Sequence, residues 1–136
     1  MKFIIDSNVL SELWKPNPEK KVLDWIGEND WFIPAPVVAE LQEGATSATS
    51  PARQLQLNEK IDLMLSDYRE ALLDWDAETA RIWGRLQHSP EVRRKPQALW
   101  DSLIDALAVR HDAIVVTRNT GDFRHAKTFN PWQAPK

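Results

Sequence analysis

Two apolar rhythms alternate along this chain. Short unbroken runs (Phe3-Ile4-Ile5, Trp31-Phe32-Ile33, Leu72-Leu73 and Ala113 to Val116) alternate with longer stretches spaced by three or four. Consecutive apolar positions rich in β-branched and aromatic residues predict buried, parallel strands. The spaced stretches predict helices. One begins at Ser7 as N-cap and carries Val9, Leu10 and Leu13 to Trp14, before Pro16 and Pro18 stop it. A second runs from Glu19 to Glu28, and a third from Pro36 to about Gly44. Ala45 to Ala52 reads as a loop. Leu57, Ile61, Met64, Leu65 and Tyr68 mark one face of a long helix over 55–68. Ala77, Ala80, Trp83, Gly84 and Gln87 share a side of the next. Ser89 to Pro96 reads as a basic loop. Leu99 to His111 is apolar nearly all round, so a buried helix is expected there. The alternation of strands and helices predicts an α/β fold, a three-layer α/β/α sandwich around a central parallel sheet.

The length of 136 residues suits one domain over 1–136, long enough to bury a core without disulfide or metal staples. No cysteine is present, which excludes thiolate ligands and a cysteine nucleophile and fits a reducing, cytoplasmic setting. The first apolar run is too short for a signal-peptide core, and no stretch reaches the length of a membrane span. With 17 Lys and Arg against 20 Asp and Glu, the formal charge is -3. The chain is therefore no general polyanion binder, and nucleic-acid contact would need local basic patches. Seven tryptophans stand out. By spacing most belong to the core, above all Trp83 and Trp100, while Trp14 and Trp132 suit surface anchors. His88, His111 and His125 lack metal-ligand spacing, which argues against a zinc site.

The acids are placed more tellingly than they are numerous. In open parallel sheets, sites form beyond the carboxyl ends of the strands. Asp6 ends the first apolar run and Asp122 lies just past the last one. Asp101 opens the buried helix, and Glu40 stands one turn into the helix after the second strand. Grouped carboxylates need cations or a metal. No basic residue flanks Asp6 or Asp101, so a divalent ion is the simpler compensation, and all-oxygen ligands suit Mg²⁺ or Mn²⁺. Each acid also has a plainer role open to it. Asp6 and Asp101 suit helix caps, Glu40 a solvated helix face, and Asp122 a turn.

The segments FIIDSNVLSEL, PAPVVAELQEG, WDSLIDALAV, VVTRNTGDF and FNPW, in that order from Met1 to about Trp132, resemble the PIN-domain ribonucleases. They look most like the VapC and FitB-type toxins of toxin–antitoxin pairs. The resemblance implies a parallel sheet of about five strands and an Mg²⁺- or Mn²⁺-dependent ribonuclease. It implies Asp6, Glu40, Asp101 and Asp122 as the catalytic acids, with Asp6 and Asp101 on the metal. Asn8, Thr117 and Asn119 match supporting polar positions. One position departs from the pattern: Asp105 stands where such helices usually carry Ala. It lies four residues after Asp101, on the same helix face, and suits either a fifth acid in the pocket or a partner for a nearby base. A VapB-like antitoxin, an RNA substrate and a homodimer or toxin–antitoxin hetero-oligomer follow as expected partners, with DNA touched only through the antitoxin and no membrane.

Arg118 and the Arg93-Arg94-Lys95 run suit either phosphate contacts or solvated surface. Two rival functions remain at this level. One is a non-catalytic antitoxin-binding module acting in operon autoregulation. The other is a phosphotransfer fold, disfavoured by Asn8 where a dehalogenase-type phosphatase needs Asp, and by the lack of Lys in Thr117-Arg118-Asn119, where a receiver domain needs one.

Overall fold

The computed structural model describes residues 1–133. Strand β1 (Lys2–Ile5) leads into helix α1 (Ser7–Leu13), and α2 (Lys20–Glu28) follows the Pro-containing turn. Strand β2 (Ile33–Pro34) runs directly into α3 (Ala35–Thr46), and α4 (Pro51–Asp67) is the longest helix. After β3 (Leu72–Leu73) come α5 (Ala77–Leu86), the short α6 (Pro90–Arg94) and α7 (Leu99–His111). Strands β4 (Ala113–Val116) and β5 (Lys127–Phe129) close the order.

All strand pairings are parallel. β4 lies between β1 and β5, with Lys2 opposite Ala113 and Ile114 opposite Lys127. β2 pairs with β3 in a separate two-stranded ladder. The expected sheet of about five strands is thus a three-stranded sheet plus a pair. The two meet at a single bridge, where Ile5 N–H donates to Phe32 O at 3.0 Å and Phe32 N–H to Phe3 O at 2.9 Å. Pro34 and the early start of α3 leave β2 only two residues long, too short to extend the ladder. β5 is a strand that apolar patterning missed. It holds Lys127 and Thr128 and pairs by backbone alone.

Ile4, Ile5, Val9, Leu10, Ile33, Val37, Ile104, Val115 and Val116 are fully buried and bind the strands to α1, α3 and α7. Asp112 closes α7 in the left-handed region at φ 49°, which an Asp tolerates better than most residues, and turns the chain into β4. Several boundaries differ from expectation. α3 continues to Thr46, and α4 starts at Pro51, so the loop over 45–52 shrinks to 47–50. Ser50 accepts from Arg53 N–H at 3.1 Å, and Pro51 takes the first helical position. Within the basic loop, Ser89 caps α6. The buried tryptophan is Trp25, whereas Trp83 and Trp100 are half-buried and line an open apolar groove with Trp75. Trp83 donates its indole N–H to the buried Ser102 Oγ at 3.0 Å. Among the described residues no helix is long and apolar enough to cross a membrane.

Candidate active site

The in-register pairing of β1 with β4 brings their carboxyl ends level. Asp6 N–H donates to Val116 O at 2.9 Å, and Thr117 N–H to Phe129 O at 2.9 Å. Asp6 and Thr117 therefore leave adjacent strands side by side. Thr117 Oγ1 donates to Asp6 Oδ2 at 2.8 Å. Asn8 Nδ2 reaches both Asp6 Oδ2, at 3.3 Å, and Thr117 Oγ1, at 3.2 Å. Asn119 N–H donates to Thr117 Oγ1 at 3.0 Å, and Arg118 N–H to Asn8 Oδ1 at 3.3 Å. Asn8, Thr117 and Asn119 thus form one polar cradle under the Asp6 carboxylate.

Asp6, not Ser7, is the N-cap of α1, since its Oδ1 accepts Ser7 N–H at 2.7 Å. Capping and site duty are compatible, because Oδ1 serves the helix while Oδ2 faces the cradle. Burial pushes the Asp6 carboxyl above its ordinary value, opposed by the Thr117 and Ser7 hydrogen bonds and reinforced by Asp122. Glu40, half-buried on α3, is raised by burial, eased by the Ser7 hydroxyl and raised further by Asp6. Asp101, in the first turn of α7, is pushed from 3.8 to about 6. Burial is the main cause, then the charges of Asp6, Asp122 and Glu40. Asp122 is exposed on a 3₁₀ turn over 120–122, its carbonyl held by Gln97 Nε2 at 3.1 Å. The four acids feel one another's charge, and among the described residues none of them has a salt-bridge partner. They stand apart all the same. No group of three or more His, Asp or Glu side chains among the described residues is drawn into ion-holding geometry.

Asp105 turns elsewhere. It is 1% exposed and accepts Ala126 N–H at 2.8 Å, His125 N–H at 3.2 Å and the His125 ring Nδ1 at 2.8 Å. The opposite ring nitrogen lies 3.0 Å from Ser89 Oγ. Of the two roles open to it, Asp105 takes that of a partner for a nearby base. It fastens the segment after Asp122 to α7 and, through His125, to α6. Sequence reasoning missed His125, because nothing near it in the chain marks it. The four-residue offset from Asp101 was the one available signal. A second unforeseen contact is Glu12, buried on α1, which accepts Lys15 Nζ at 2.8 Å and Glu19 N–H at 2.9 Å and closes the turn into α2.

The raised carboxyls fix the sign of a pH effect. The folded chain binds the Asp101 proton more tightly than the unfolded chain, so the stability this group contributes is present below 3.8 and lost as pH rises through about 6. Asp101→Asn should match wild-type stability near the low end of that window and exceed it at neutral pH. Thermal melts of both proteins across the window check this. A constant difference at all pH values would mean that Asp101 does not titrate as described.

The PIN domain family model matches residues 3–128. The chain is 30% identical over 135 residues to toxin FitB of Neisseria gonorrhoeae, covering 95% of this chain and 97% of the relative. It is 30% identical over 136 residues to VapC ribonuclease Y4jK of Sinorhizobium fredii, covering 96% and 97%. Among solved structures, FitAcB from Neisseria gonorrhoeae superposes with TM-score 0.84 at 29% identity, covering 97% of this chain and 99% of the matched one. FitAB bound to an IR36 DNA fragment gives TM-score 0.81 at 27% identity, covering 98% of each. A level pair of strand ends, acids beyond them that bear on one another by charge and likeness over almost the whole length lead to one conclusion: the chain belongs to the PIN domain family and groups with its FitB and VapC toxins.

Proposed function

We propose that this chain is a metal-dependent endoribonuclease toxin restrained by a VapB-like antitoxin. The observation that carries the reading is the Asp6 carboxylate, held by Thr117 and Asn8 at the level ends of β1 and β4, with the charges of Asp6, Asp122 and Glu40 all bearing on Asp101. Maintaining such repulsion costs stability, and a fold that tolerates it gains when a cation binds. The donors are all carboxylate oxygens, which fit Mg²⁺ or Mn²⁺ better than softer ions. Asp6 and Asp101 would hold the ion, and Glu40 and Asp122 would orient water and substrate around it. A bound ion supplies a Lewis acid for the phosphoryl oxygens and activates water for in-line displacement. Hydrogen bonds from Thr117 and Asn8 aim the Asp6 carboxylate, the Thr117 bond opposes the effect of its burial, and the Asn119 backbone N–H holds Thr117 in place. The named ribonuclease among the relatives supports the activity. The FitAcB structure and the FitAB complex bound to DNA among the solved neighbours support a VapB-like partner and an assembly that binds DNA.

Purified chain should cleave single-stranded RNA with Mg²⁺ or Mn²⁺ and lose that activity with chelator. The same ions should raise its melting temperature. At a free concentration a hundred times the dissociation constant, the gain is about 2.7 kcal/mol. RNA left intact under all metal conditions, with antitoxin binding retained, would instead favour the non-catalytic module.

A further inference from the structure

A groove of about 600 Å³ opens from the acid site between α1, α3 and α4. Ser7 and Glu40, which belong to the acid site, also line it. Its floor includes Trp14, Leu41 and Leu57, and its cations are Lys15, Arg53 and Lys60. Arg53, Leu57 and Lys60 follow one face of α4, which sets Arg53 and Lys60 roughly 10 Å apart along the helix axis. Lys15 is committed to Glu12. Arg53 is exposed, its guanidinium making one long contact of 3.5 Å to Gln56. Lys60 donates to Trp14 O at 3.3 Å and stands 5.9 Å from the Trp14 ring centre. Among the described residues neither has a salt-bridge partner.

We infer that this groove holds the single-stranded RNA flanking the cleaved phosphate, with Arg53 and Lys60 on backbone phosphates and the apolar floor of Leu41 and Leu57 beneath the strand. The inference rests on the ribonuclease reading and adds a strand path to it. The acids alone repel a polyanion, and the net charge of -3 offers no general attraction. A cationic wall continuous with the acids offsets that repulsion where the strand must pass. Cations that track a nucleic-acid backbone along a groove are the recurring electrostatic chemistry of single-strand binding. An acidic protein segment would meet the same cations. Continuity with the acid site favours RNA, because Ser7 and Glu40 line both the acid site and the groove.

The test measures binding of a short fluorescein-labelled single-stranded RNA by anisotropy, without divalent metal, across about 50 to 200 mM salt. The proteins are wild type, Arg53→Gln/Lys60→Gln, and Arg93→Gln/Arg94→Gln as a pair of equal charge change elsewhere. For single strands each lost phosphate contact lowers the slope of log affinity against log salt by about 0.7. The groove pair should therefore lose about 1.4 of slope, and in cleavage assays should raise KM with kcat retained. The Arg93/Arg94 pair should keep the wild-type slope. Melting curves confirm that both variants fold. An unchanged slope in the groove pair, a slope lost only in the Arg93/Arg94 pair, or groove substitutions that abolish antitoxin binding while RNA binding persists would each overturn the inference. RNA bound through the groove but not cleaved would sink the nuclease reading and leave the strand path standing.

Discussion

Asp101→Asn should reduce RNA cleavage at least a hundred-fold while making the protein more stable. The two effects share one cause. At neutral pH the fold holds Asp101 ionised against burial and the charges of Asp6, Asp122 and Glu40. Asn is nearly isosteric and carries no charge, so the repulsion disappears. After discounting for solvent screening, the gain should be about 1–2 kcal/mol. For a domain of this size that raises the melting temperature by roughly 4–8 °C. The activity loss follows because an amide is a poor ligand for a hard cation. Outer-shell substitutions at metal sites already cost about 10- to 100-fold, and a direct ligand should cost at least the upper figure. Cleavage assays with Mn²⁺ and thermal melts of the same preparation read both. Wild-type cleavage would remove Asp101 from the site, and a lower melting temperature would mean that its charge is stabilised by something else.

Asp6→Asn should lose as much activity with less stability gained. Asp6 accepts Ser7 N–H as a helix cap and the Thr117 hydroxyl and Asn8 amide at its other oxygen. An Asn can keep the cap, but it presents an amide N–H₂ or a weaker acceptor to the other two donors. Losing a charge-assisted hydrogen bond offsets much of the relief from repulsion. The contrast between the variants separates a carboxylate held by a cradle from one held mainly by its place on α7.

The strand ends were legible because strand and site share one signal. An apolar run that stops at a carboxylate marks the end of β1 and sets Asp6 beside Thr117, where the candidate site is placed. The motif Thr117-Arg118-Asn119 with Asp122 does the same after β4. The inward face of the long helix was legible from its spacing alone, and Ile61 and Met64 on it are buried. β5 was not, since its residues Lys127 and Thr128 give no apolar rhythm and its place is fixed by backbone pairing with β4. The tryptophans misled in the other direction. Spacing put Trp83 and Trp100 in the core, but both line an open groove with Trp75 while smaller Ile and Val fill the interior. That no three of the acids among the described residues come into ion-holding geometry is also absent from the sequence, because it depends on how α3 and α7 pack.

Asp105→Ala should be the most damaging single change to the fold. The carboxylate is 1% exposed and accepts two backbone N–H groups, from His125 and Ala126, as well as the His125 ring. Truncation leaves two donors without an acceptor at about 1–3 kcal/mol each and releases the imidazole. The expected loss is roughly 3–5 kcal/mol, which lowers the melting temperature by more than about 10 °C. The segment released follows Asp122 and carries Arg124, whose guanidinium holds Gly121 O and Lys95 O. Cleavage should therefore fall together with stability. Asp105→Asn separates this role from direct service at the acid site. The amide oxygen can still accept Ala126 N–H, so most stability and most activity should survive. If Asp105 instead joined Asp6 and Asp101 on the ion, Asp105→Asn would abolish cleavage at unchanged melting temperature, as at a true ligand position. A third variant, His125→Gln, can restore one ring contact through its own amide. It should lose less stability than Asp105→Ala, because both backbone donors keep their acceptor. A melting temperature for His125→Gln as low as that of Asp105→Ala would place the weight of the latch on the imidazole and not on the backbone donors.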